Sequence, residues 1–233
     1  MQIETVVISC EHGGYEIPPH LVNLFAERTS ILTTHLGWDP GALDMAQKAA
    51  KELVAPLIYQ TVCRLVVECN RTLQHPQLWS SITQSLSKKE KQHLLDTIYL
   101  PYRDALHSAL QKKMKEYGQA IHFSSHTMAH KVAGQVREMD VALLFDPSRN
   151  EEVALVEAWA QEINTLDSSL KVAFNEPFQG YNDGQVVWLR RMYGQELYVG
   201  IELELNQRWV GTDGWKHLQN TVLAAFRKAV ASS

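Results

Sequence analysis

The stretch VVISCEHGGYEIPPH, residues 6–20, decides how the rest of the chain is read. Val6, Val7 and Ile8 form an apolar run that ends in Ser9-Cys10-Glu11-His12, and the pairs Gly13-Gly14 and Pro18-Pro19 then turn the backbone. A short apolar run bounded by Gly and Pro reads as a buried strand, here one that delivers a histidine to its own carboxyl end. In open α/β sheets ligands bind in the crevice outside the carboxyl ends of the strands, so chemistry is expected at this point. The plainer alternative is a strand-to-loop turn with an exposed histidine, and one stretch alone does not separate the two.

A chain of 233 residues with 45% hydrophobic content can bury a substantial core, and one α/β domain over residues 1–233 is expected. Lys and Arg number 22 against 26 Asp and Glu, a formal charge of −4. That balance argues against a nucleic-acid surface or a polybasic membrane anchor and for a small-molecule substrate. No apolar stretch approaches the length that spans a bilayer, and the regions of a signal peptide are missing, so a soluble cytoplasmic protein is expected. Cys10, Cys63 and Cys69 are odd in number and form no Cys-x-x-Cys unit, which argues against a disulfide framework. Cys10 beside His12 is a candidate thiolate nucleophile, set against the tendency of cysteine to be buried.

Downstream, residues 20–30 read as a short helix and residues 43–54 as a strongly amphipathic one, with Leu43, Ala46, Ala50 and Leu53 as its stripe. Asp39 precedes Pro40 at the entrance of that second helix, where it is either a cap for free amides or a metal-ligating carboxylate. Residues 57–70 carry β-branched clusters; strand alternation puts Arg64, Glu68 and Asn70 on one face, and the segment closes in Asn70-Arg71. Two guanidinium forks flanking an asparagine suit a carboxylate ligand. Residues 76–91 are polar and irregular, and a helix over 89–118 is expected to break near Leu100-Pro101-Tyr102. The strand over 119–128 ends in His126; His122, four residues earlier, lies roughly 13 Å away along a strand and is left unassigned with His35 and His130. Strands over 139–145 and 172–175, a helix over 151–166 and a final helix over 215–231 follow. In residues 197–205, Val199, Ile201, Leu203 and Leu205 alternate with Gly200, Glu202 and Glu204.

His12, the Asn70-Arg71 pair, His126 and Glu204 thus fall at four separate predicted strand ends. Two imidazoles and a carboxylate are enough protein ligands for a catalytic zinc, and a further Glu suits a general base.

These residues also carry a family resemblance. Ser9-Cys10-Glu11-His12 with Ile17-Pro18, Trp38 to Ala42, Arg64 to Arg71, Ser125 to Met128, Asn175-Glu176-Pro177-Phe178 with Gly180, and Ile201 to Asn206 resemble, in order, the motifs of the N-formylglutamate amidohydrolase family. The resemblance covers nearly the whole chain and lies with the branch that opens on Cys-Glu-His. It implies a three-layer α/β/α sandwich with a mixed, mostly parallel sheet, similar to zinc exopeptidases and aspartoacylase. It also implies one zinc per chain on His12, Asp39 and His126, a substrate clamp of Arg64, Asn70 and Arg71 with Asn175, and Glu204 as base. The chain departs from the pattern in three places. Exopeptidases carry a Glu three residues after the first His, where this chain has Tyr15, so Glu16 rivals Asp39 as second ligand. Ser124 stands where many members have Asp, and Glu68 where Asp is more usual.

The expected function is a metal-dependent amidohydrolase acting on a small anionic N-acyl amino acid such as N-formylglutamate. The rivals are a non-catalytic binding protein for an anionic metabolite and a zinc carboxypeptidase acting on a short peptide or cell-wall fragment.

Overall fold

Val6–Cys10 is fully buried on both faces and forms β1, the strand from which the computed structural model, describing residues 1–232, is built. Short helices α1 (Val22–Phe25) and α2 (Thr29–Leu32) precede α3 (Ala42–Leu53) and β2 (Leu57–Tyr59). Then come α4 (Lys88–Leu94), α5 (Leu100–Tyr117), β3 (Ala120–Met128) and a small hairpin of β4 (Lys131–Val132) and β5 (Gln135–Val136). The chain closes with β6 (Val141–Leu144), α6 (Asn150–Leu166), β7 (Val172–Phe174), α7 (Gln185–Met192), β8 (Tyr198–Asn206) and α8 (Gly214–Ser232).

The six-stranded sheet runs β2-β1-β3-β8-β6-β7. The first four strands are parallel; β6 lies antiparallel to β8, with β7 parallel to β6. Strand alternation sorts the side chains into two faces. Val6, Ile8, Ile121, Phe123, Val199 and Ile201 pack on α3, α6 and α8, where Trp159 and Phe226 meet at 4.6 Å between ring centroids. Val7, Ala120 and Tyr198 pack on Leu106 and Leu110 of α5 and on Val186 and Leu189 of α7. The fold is therefore the three-layer α/β/α sandwich with a mixed, mostly parallel sheet. Among the described residues no helix is long and apolar enough to cross a membrane.

Two local expectations change. Residues 57–70 are not one long strand: β2 stops at Tyr59, and Val62 makes only a single bridge to Glu16. Cys63, Val66, Val67 and Cys69 instead turn into a second apolar cluster with Phe25, Leu94, Tyr99 and Tyr102, so burial there is satisfied by turns. The long helix does not break at Pro101, which sits in the first turn of α5, where a missing N–H costs little. The irregularity is a π-turn over Leu95–Tyr99 just before it. Its ends follow local chemistry: Ser87 and Glu90 form a capping box at α4, and Gly118, at φ +81°, closes α5.

Candidate active site

The carboxyl ends of β1, β3 and β8, three neighbouring interior strands of the sheet, lie side by side and carry the site. His12 leaves β1 two residues past its end, and its carbonyl accepts the Asp39 amide at 3.0 Å, which brings the loop before α3 over the strand ends. Asp39 does not cap that helix; Gly41 occupies the cap position, and the Asp39 carboxylate turns to the two histidines. Asp39 Oδ2 lies 3.2 Å from His12 Nδ1 and 2.9 Å from His126 Nδ1. One ligating atom from each of these three buried residues fits within 4.8 Å of the others. Glu16, the rival carboxylate, is elsewhere: its Oε2 accepts the Thr61 hydroxyl at 2.8 Å on the exposed surface.

Two carboxylates that sequence reasoning did not assign stand behind the rings. His12 Nε2 lies 2.6 Å from Glu68 Oε1, and His126 Nε2 lies 3.2 Å from Glu11 Oε1. The signal was present, since Glu11 directly precedes His12 and Glu68 was grouped with Arg64. Each imidazole thus faces a carboxylate oxygen at both nitrogens, whereas a neutral ring donates at only one. Burial and the Arg64 guanidinium push the His12 pKa down, but Glu68 and Asp39 outweigh them and raise it. Burial likewise opposes charging of His126, and Glu11 with Asp39 raises its pKa well above the ordinary value. Burial also disfavours ionised Glu11, Asp39 and Glu68, yet His126 holds Glu11 down to about 2, His12 holds Asp39 below the usual carboxylate range, and Arg64 does so for Glu68. Three ionised carboxylates and one guanidinium leave this cluster, with neutral imidazoles, a formal charge of minus two. The donor set and its charge both fit a divalent cation at the corner where the two Nδ1 atoms meet Asp39.

Glu204 lies beside this corner. Its Oε2 is buried without a hydrogen-bond partner, and burial, reinforced by Asp39 and Glu202 against the opposing His126, raises its pKa to about 8. A cavity of about 300 Å³ opens over the cluster, lined by His12, Asp39, His126 and Glu204 together with Arg64, Asn70 and Arg71. His35, Arg137 and Glu202 line it too, and none of them was singled out from sequence.

The clamp residues differ in what they have free. Arg64 spends its fork on Glu68 Oε2, at 2.7 and 2.8 Å, and on Asp39 Oδ1, at 3.4 Å. Arg71 Nη1 donates to the carbonyls of Asn70 and Asp183, and among the described residues it forms no salt bridge. Asn70 Oδ1 accepts the Gln185 amide at 2.9 Å. Asn175 stands apart from the residues lining this cavity, and its Oδ1 accepts the amides of Phe145 and Gly180, both at 3.0 Å, which shapes the turn after β7. Cys10 packs in the core against α3, where burial pushes its thiol pKa up and removes it as a nucleophile. His122 is a satisfied core histidine between Ser9 Oγ and Tyr198 Oη, at 2.8 and 2.7 Å.

Comparison with known proteins places this geometry in context. The family model of N-formylglutamate amidohydrolase matches residues 4–210. The gene product Atu2144 from Agrobacterium tumefaciens superposes with a TM-score of 0.83 at 22% identity, covering 98% of this chain and 91% of that one. N-formylglutamate amidohydrolase from Ralstonia eutropha JMP134 superposes with a TM-score of 0.74 at 18% identity, covering 98% and 93%. At these identities the likeness is one of fold. Among curated proteins none matches. The match over residues 4–210 covers most of the 233, and the chain belongs to the N-formylglutamate amidohydrolase family.

Proposed function

We propose that this protein is a metal-dependent amidohydrolase that cleaves the amide bond of a small anionic N-acyl amino acid, with N-formylglutamate as the first substrate to try. The observation that carries the reading is the meeting of two carboxylate-backed imidazoles at one buried aspartate, inside a cavity that also holds an unpartnered glutamate. His12, Asp39 and His126 would hold one zinc ion. Zinc supplies Lewis-acid polarisation of an acyl oxygen and lowers the pKa of a water from about 15.7 to about 7.

The remaining chemistry belongs to the chain. Glu204 accepts a proton from the attacking water as its oxygen bonds to the acyl carbon, then returns that proton to the nitrogen as the C–N bond breaks. A buried carboxyl held beside the metal corner without a hydrogen-bond partner for Oε2 is free to make both transfers. Arg71 and Asn70 bind the substrate carboxylate, and Arg64 holds Glu68 and Asp39 in place. The products are a free amino acid and the acid of the acyl group, formate for an N-formyl substrate. The three free, buried cysteines fit the reducing cytoplasm to which we assign the protein.

The test is elemental analysis of the purified protein and of His12→Ala and His126→Ala, with formate release from N-formylglutamate measured on the same samples. Near one zinc per chain, lost with activity in both variants, is expected. A wild-type protein that takes up no metal when zinc is offered overturns the hydrolase reading in favour of anion binding without turnover.

A further inference from the structure

We propose that Glu11, its Oε2 held by Gln185, Tyr102 and Ser124, is a positioning residue that locks His126 in the orientation required to present Nδ1 to a metal. The inference rests on the metal-site reading above and adds residues that act behind it.

Glu11 is 1% exposed, and its two oxygens do different things. Oε1 lies 3.2 Å from His126 Nε2 as a charge contact without hydrogen-bond geometry, and the hydrogen bond of Nε2 is to Ser124 Oγ, also at 3.2 Å. Oε2 accepts Gln185 Nε2 at 2.6 Å, Tyr102 Oη at 3.1 Å and Ser124 Oγ at 3.4 Å. The Tyr102 hydroxyl also lies 3.0 Å from Gln185 Oε1 and shares its single proton between that oxygen and the Glu11 carboxylate. Burying a carboxylate among neutral groups is costly, and an apolar side chain in the same layer would avoid that cost. What the carboxylate provides is a negative charge beside His126 Nε2 and, through Ser124 Oγ, an anchor for that edge of the ring. Ser124 Oγ takes the Nε2 hydrogen bond and donates to Oε2, so that the Nδ1 edge stays turned to the Asp39 corner, where a metal would displace its proton.

The two rings are supported unequally. Glu68, behind His12, is paired with the Arg64 guanidinium, so its neutralisation would also unpair a cation. Glu11 has only neutral donors on its second oxygen, which makes Glu11→Gln the cleaner perturbation. Gln185 adds a geometric link, because its backbone N–H donates to Asn70 Oδ1 while its side chain braces Glu11. One residue at the start of α7 therefore touches both the cavity wall and the support of the metal corner.

The experiment measures zinc affinity by chelator competition for the wild type, Glu11→Gln, Gln185→Met and Tyr102→Phe, beside the unfolding midpoint of each metal-free protein. Zinc binding roughly 10- to 100-fold weaker in Glu11→Gln is expected, the range typical of lost support behind a metal ligand. A smaller loss in the same direction is expected for Tyr102→Phe. The Nε2–H resonance of His126 in the zinc-loaded protein, slow to exchange in the wild type, should exchange rapidly in Glu11→Gln; a merely structural role would leave it unchanged. Zinc affinity within twofold of wild type in folded Glu11→Gln overturns the inference and leaves the metal site standing. If Glu11→Gln does not fold, Gln185→Met decides: weaker zinc binding supports the inference, and unchanged binding overturns it. A wild-type protein that binds no zinc overturns both readings, so the two failures are distinguishable.

Discussion

His126 and Glu204 are register partners on the adjacent parallel strands β3 and β8, side by side on the polar face of the sheet. Neighbouring strands lie about 4.8 Å apart, so the backbone ladder itself, and no flexible loop, sets the spacing between a ligand imidazole and the proposed base. Glu204→Gln keeps the shape of that side chain and removes its basicity. Turnover is expected to fall roughly 100- to 10,000-fold with zinc content unchanged. Measurement of kcat beside metal stoichiometry checks this, and near wild-type kcat in a folded variant would remove Glu204 from its role.

The same residue makes the metal-free protein sensitive to alkali. Its folded pKa of about 8 lies above the ordinary 4.5, so between those values the folded state binds the extra proton. The stabilisation is fully present below pH 4.5 and is lost as pH rises through about 8. Metal-free Glu204→Gln should therefore gain stability relative to wild type between pH 5 and pH 9. Urea unfolding at the two pH values reads the difference, and an identical offset at both would contradict a buried, protonated Glu204.

Arg64 and Arg71 should fail in different ways. Arg71 forms no salt bridge among the described residues, so Arg71→Ala is expected to raise KM for an anionic substrate about 10- to 100-fold, the worth of a charge-assisted hydrogen bond, while zinc stays bound. Arg64 is committed to Glu68 and Asp39, so Arg64→Ala should weaken zinc binding and lower the unfolding temperature. Steady-state kinetics with metal analysis separates the two, and a pure KM effect in Arg64→Ala would count against its supporting role.

Away from the cavity, Glu152 and Arg190 form a buried pair that ties α6 to α7. Arg190 Nε and Nη2 reach the two Glu152 oxygens at 2.8 Å each, and the guanidinium also donates to the carbonyls of Gly180 and Gly200. Arg190→Met leaves Glu152 charged and largely unpaired in the interior, and a loss of about 3 to 5 kcal/mol in urea unfolding is expected. A loss below about 1 kcal/mol would show that Arg149, 3.1 Å from the same carboxylate, suffices.

Much of this molecule is legible residue by residue because its signals are local. The apolar run at Val6–Cys10, the alternation of Tyr198–Asn206 and the capping chemistry at Ser87 and Gly118 specify strands, faces and helix ends, since backbone period and caps depend on neighbours within a turn. The strand-end residues His12, His126 and Glu204 follow from the same periodicity. What only the tertiary structure decided is which polar groups meet. Asp39 and Glu16 both sit by turns, and the hydrogen bond from the Asp39 amide to the His12 carbonyl brings the former to the histidines. Arg64 and Glu68 meet across a turn that buries Cys63, Val66 and Val67, where sequence indicated a strand. Glu11 and Gln185, 174 positions apart, touch only because α7 packs over the polar face of β1 and β3. The sequence alone determined the buried strands at Val6–Cys10, Ala120–Met128 and Tyr198–Asn206 and the side chains at their ends; long-range packing decided where residues 57–70 turn and which carboxylate stands behind which imidazole, because those choices depend on how distant segments stack and on no local period.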